Sequence, residues 1–63
     1  MNLEYLKEQR SLKNLTQKQV AQMIDIEYGS YRKVEIGLKS VSLKTFTKLV
    51  KALELDANKL LNI

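Results

Sequence analysis

The 63-residue chain has no cysteine, no histidine and no proline, and only two glycines and one phenylalanine. Without cysteine there is no disulfide framework and no thiolate metal site. Without histidine, the commonest neutral metal ligand and the usual general base are both missing. Catalysis would then need paired carboxylates in a pocket, yet the seven acids are scattered along charged stretches. So short a chain also leaves little room for a cleft of roughly a few hundred Å³. The residues argue against an enzyme, and no cofactor, metal or small-molecule ligand is indicated. No apolar run approaches the roughly 20 residues of a membrane span, and no signal-peptide pattern opens the chain. With no low-complexity run, repeat or linker either, residues 1–63 read as one small domain, soluble and cytoplasmic. A domain of this size buries only about 60% of its unfolded surface, so it supports a single core of short helices.

What the chain does have is positive charge, unevenly placed. Residues 1–27 balance Lys7, Arg10, Lys13 and Lys18 against Glu4, Glu8, Asp25 and Glu27. Residues 49–63 balance Lys51 and Lys59 against Glu54 and Asp56. Residues 28–48 hold Arg32, Lys33, Lys39, Lys44 and Lys48 against Glu35 alone, so the whole net charge of +4 sits there. A polyanion is the economical partner for such a patch, and a solvated face is the plainer alternative.

The patch begins inside the stretch that organises the chain, Thr16 to Glu35. Val20, Ala21 and Ile24 recur at helical spacing, and Thr16 with Gln19 three residues on is a capping-box pair. A second pattern places Tyr31 and Val34 on one face, with Tyr28, Gly29, Arg32 and Lys33 outward. Between them Asp25-Ile26-Glu27 makes a tight connection whose isoleucine can plug the angle. Helices joined so closely must cross steeply, which leaves the second exposed along one side. An exposed basic helix of about 12 Å diameter fits the major groove of B-DNA. This is a helix-turn-helix pattern.

Around it, Asn2 can cap a helix from Leu3 to Leu12 whose face carries Leu3, Leu6 and Arg10. Asn14 tolerates the left-handed exit that follows, and Gly37 can end the second motif helix with positive φ. Ser42 caps a fourth helix with the face Leu43, Phe46, Leu49, Val50 and Leu53. Asp56 caps a last short one carrying Leu60 and Leu61. The expectation is an all-α fold without strands, with helices over 3–12, 17–24, 28–35, 43–53 and 57–61. Phe46 is expected in the core, Tyr31 inside with its hydroxyl at the edge, and Tyr5 on the surface with no role.

The joint spacing of these positions resembles the phage repressor and Cro-type helix-turn-helix family over nearly the whole chain. The matching points are Arg10, Leu15-Thr16-Gln17, Val20-Ala21, Ile24, Ile26, Val34-Glu35 before Gly37, Ser42-Leu43, Lys51-Ala52-Leu53 and Leu60-Leu61. The resemblance implies a compact five-helix bundle of the lambda-repressor-like type that binds double-stranded DNA as a transcriptional regulator, a repressor of the Cro/C1 kind. It also implies an ion pair between Arg10 and Glu35, clamping the first helix to the recognition helix. The chain departs from the family at Asn14 and Glu54, where glycine is usual. Glu27 replaces a small capping hydroxyl, and Ile36 a frequent asparagine.

The exposed side of the recognition helix offers Tyr28, Gly29, Ser30, Arg32 and Lys33. The family's base readers match Tyr28, Gly29 and Lys33, with Ser30 and Arg32 at or near the backbone. Lys33 can donate to guanine O6 and N7, Arg32 is a further candidate base contact, and Tyr28 can press on a thymine methyl or bond a phosphate. Gly29 has nothing to read with but lets the helix start approach base edges closely. Phosphate contacts are expected from Thr16, Gln17, Ser30, Lys39, Ser40 and Lys44. One such domain covers about half a helical turn, so the family expectation is a homodimer on an inverted repeat with half-sites about 10 bp apart. Residues 55–63 are the expected contact, because Leu61 and Ile63 are not both expected in the core. The alternative is a protein-interaction module on the same fold, such as an antitoxin or antirepressor. RNA fits less well, since stacking platforms are absent and the A-form major groove excludes a helix.

Overall fold

In the computed structural model, which describes residues 1–62, five α-helices follow one another. They are α1 Leu3–Leu12, α2 Gln17–Met23, α3 Tyr28–Glu35, α4 Leu43–Leu53 and α5 Ala57–Leu61. No strand occurs among the described residues. Short polar side chains start four of the helices. Asn2 accepts from the Tyr5 amide, Ser42 from Thr45, and Asp56 from Asn58 and Lys59. Thr16 Oγ1 accepts from the Gln19 amide at 3.1 Å, while the Thr16 amide donates to Gln19 Oε1 at 2.8 Å. Each such cap contributes about 1 kcal/mol. Glu27, ahead of α3, makes no side-chain cap bond.

The ends of α1, α2 and α3 share one geometry. A residue of positive φ follows each helix: Asn14 at 55°, Asp25 at 59° and Gly37 at 83°. The next amide then reaches back five residues, Leu15 to Arg10 O, Ile26 to Ala21 O and Leu38 to Lys33 O. This Schellman arrangement satisfies carbonyls that a helix end leaves open and swings an apolar residue toward the preceding turn. Leu15 and Ile26 pack against the core, but Leu38 stays exposed. Glu54, after α4, also takes the left-handed conformation with φ 54°.

The core joins Leu6 of α1, Val20 and Ala21 of α2, Tyr31 of α3, Leu49 and Leu53 of α4 and Leu60 of α5. Ile24 and Leu55, at helix ends, complete it. The chain's two ends are stitched together, since the Asn2 amide donates to Leu60 O at 2.6 Å. The Asp56 amide also donates to Tyr5 Oη at 2.9 Å. Tyr5 is therefore not an idle surface residue: half-buried against the core, it holds α5 to α1.

Two further details depart from the sequence reading. α2 stops at Met23, with Ile24 as its cap. Leu43, in line with the α4 core face, projects past the core and is exposed. Leu55 and Leu60 are buried, which leaves Leu61 as the exposed apolar side chain of the carboxyl-terminal segment among the described residues. Ile63 lies outside those residues. No helix is long and apolar enough to cross a membrane among the described residues.

Candidate nucleic-acid interface

α3 divides cleanly along its length. Tyr31, Val34 and Glu35 are buried, whereas Tyr28, Gly29, Arg32 and Lys33 are exposed and Ser30 is half-buried. The buried set follows the 3.6-residue period, so the exposed residues form a continuous strip on the opposite side. An added Cβ at Gly29 would meet nothing within 4 Å, and its φ is not in the left-handed region. The fold therefore does not require glycine there. Gly29→Ala should raise stability by up to about 1 kcal/mol, read as a shift of the urea midpoint at unchanged slope.

Two shallow grooves flank the strip. On the α2 side, a groove of about 480 Å³ brings Tyr28 together with Thr16, Gln17 and Lys18. On the other side, a groove of about 540 Å³ brings Ser30 together with Lys39 and Ser40. Lys39 Nζ donates to Ser30 Oγ at 3.2 Å, tying the loop after α3 back to the helix. Lys44 is exposed in the first turn of α4. Candidate base readers thus lie between two sets of candidate phosphate contacts. Lys18 joins the first set without having been singled out from sequence; its only signal was its place beside Gln17 in the opening turn of α2.

A buried polar cluster fixes where this strip points. Arg10 Nε donates to Glu35 Oε2 at 2.7 Å, and Nη2 to Oε1 at 3.2 Å. Arg10 Nη1 also donates to Leu15 O at 2.8 Å, and Gln17 Nε2 to Glu35 Oε1 at 3.0 Å. The last residue of α3 is thereby held by α1 and by the first residue of α2. Gln17 is committed to that carboxylate through one amide hydrogen, keeping its second N–H and its backbone amide for other partners. Thr16 Oγ1 is occupied as an acceptor in the capping box and retains its hydroxyl proton.

Burial alone would push the Glu35 carboxyl up, but hydrogen bonds from Arg10 and Gln17, with the Arg10 charge beside it, outweigh burial and hold the group below the usual range. Arg10 is correspondingly raised, chiefly by its hydrogen bond to Glu35. The Tyr31 hydroxyl lies beside the pair, fully buried rather than at the edge. Burial first, and the nearby carboxylate second, raise its pKa well above that of a free phenol. It has no hydrogen-bond partner of good geometry among the described residues. A buried hydroxyl in that state carries a desolvation cost with little return. Tyr31→Phe should therefore be neutral or stabilising by up to about 1 kcal/mol in denaturant unfolding.

A family model described as helix-turn-helix matches residues 6–60. The chain belongs to the Cro/C1-type helix-turn-helix family. The family is one of DNA-binding transcription regulators and is typically non-enzymatic. Searches among curated proteins and among solved structures find no match. No group of histidine, cysteine and acidic side chains able to hold a metal occurs among the described residues of this helix-turn-helix protein.

Proposed function

We propose that residues 1–63 act as one domain that binds duplex DNA sequence-specifically through the major groove. The domain represses transcription in the cytoplasm as a homodimer on an inverted repeat. The observation that supports this reading best is the α3 strip of Tyr28, Gly29, Arg32 and Lys33 lying between two polar grooves. Lys33 donates to guanine O6 and N7, and Arg32 reaches either a base edge or the adjacent backbone. Tyr28 covers a thymine methyl, while the bare backbone at Gly29 lets the helix start sit close to the bases. Thr16 and Gln17 hold a phosphate on one strand. Ser30, Lys39, Ser40 and Lys44 hold the other.

Selection of bound sequences from random duplex DNA tests the whole reading at once. The expected product is a pair of inverted half-sites about 10 bp apart, each a few base pairs long. Recovery of an unenriched pool at low ionic strength would sink it.

A further inference from the structure

An acid stands at the leading end of the recognition helix. Glu27, directly before Tyr28, is exposed and occupies the capping position of α3, yet its side chain makes no cap bond. It lines the groove that also holds Ser30 and Lys39. Lys39 nevertheless donates to Ser30 Oγ, and the salt bridge found among the described residues joins Arg10 to Glu35. The Glu27 carboxylate is thus left with its acceptor sites open. On a domain that binds a polyanion, a free negative charge in that place opposes binding to every sequence alike.

We propose that Glu27 is a specificity-determining residue whose carboxylate accepts a hydrogen bond from the exocyclic amine of a cytosine in the major groove. The inference rests on the DNA-binding reading above and adds to it a residue which that reading leaves out. Placement supports it first. The amino-terminal residues of a recognition helix are those that reach base edges, and Glu27 adjoins Tyr28 at that end of α3. The chemistry then narrows the choice of base. An ionised carboxylate only accepts hydrogen bonds. Guanine N7 and O6 and thymine O4 are acceptors too and repel it, so cytosine N4 and adenine N6 are the partners open to it. Adenine N6 lies between two acceptors, its own N7 and the O4 of the paired thymine. Cytosine N4 has guanine O6 on one side and a C–H edge on the other, so the carboxylate meets less repulsion there. The charge therefore works by exclusion: it weakens contact with all duplexes, and a correctly placed cytosine offsets the loss. An acid at a helix start also favours the positive end of the helix, but that role is blind to DNA sequence.

Selection from random duplex DNA is run in parallel on the unaltered chain, Glu27→Gln and Glu27→Ala. Because Glu27 makes no cap bond, both variants should fold, which urea unfolding checks. The unaltered chain should enrich cytosine at one position of each half-site. Glu27→Gln, whose amide both donates and accepts, should move that position toward adenine, where it can bond N6 and N7 together. Glu27→Ala should lose the preference there and keep the others. On the selected duplex, exchanging that C·G pair for T·A should weaken the unaltered chain about tenfold and Glu27→Ala less than about twofold. Glu27→Ala should also bind unrelated duplexes more tightly, since one like charge is gone. Unchanged preferences in both variants, whatever happens to affinity as a whole, would overturn the inference and leave Glu27 a helix-start charge, with the DNA reading intact. If none of the three proteins binds duplex DNA, both readings fall together.

Discussion

Replacing Arg10 by methionine should destabilise the domain by about 3–5 kcal/mol, because it strands a fully buried carboxylate. A domain of this length has only about 3–9 kcal/mol of stability in total, so the variant should sit close to unfolding at room temperature. The converse change, Glu35→Leu, should be milder. The Arg10 side chain retains 17% exposure and its bond to Leu15 O, so its charge can turn toward water. The double variant Arg10→Met with Glu35→Leu removes both charges and should recover most of the loss, as buried pairs replaced by apolar residues often do. Denaturant unfolding of the four proteins gives the coupling directly. Effects that simply add would mean that the two side chains act independently.

The same cluster sets the acid limit of the fold. Glu35 is held below its ordinary value of 4.5 in the folded protein. A depressed carboxyl stabilises the fold above the unfolded pKa and loses that contribution as pH falls through the folded one. Stability should therefore decline below about pH 4.5, and the double variant should decline less over that window.

The helix starts were legible because each depends on residues within one turn. Asn2, Thr16 with Gln19, Ser42 and Asp56 all cap where local chemistry places them. Asn14 and Gly37 adopt positive φ for equally local reasons. What could not be read was set by distant partners. The Tyr5 hydroxyl meets an amide 51 residues away, and nothing near it in sequence announces this. Leu43 shows a different limit. Helical periodicity gives a side chain's direction about the axis, but not how far the core extends along it. At the interface, residue type pointed to Gln17 as a polar group at a helix start. That its amide would be engaged by Glu35 was a tertiary fact, invisible until α2 and α3 were set against each other.

The second large effect expected is of salt on DNA affinity. Arg32, Lys33, Lys39 and Lys44, together with Lys18 beside Gln17, supply five cations on or flanking the α3 strip. With Lys33 on a base edge, the other four as phosphate contacts give a slope of about −3.6 in log affinity against log salt, or about 150-fold between 50 and 200 mM. A protein-interaction module on the same fold would show no such dependence with duplex DNA, so a slope near zero would remove the DNA reading. The slope also separates the roles of individual lysines. Lys39→Gln should lower it by about one unit and weaken all sequences alike, because a phosphate contact carries no sequence information. Lys33→Gln should instead lose about 1–3 kcal/mol on the selected site and relax preference at one base pair, leaving binding to unrelated duplexes nearly unchanged. If both substitutions behaved as phosphate contacts, α3 would lie across the backbone instead of within the groove. The exposed strip would then be a positioning surface, and sequence preference would have to come from elsewhere in the domain or from the shape of the DNA itself.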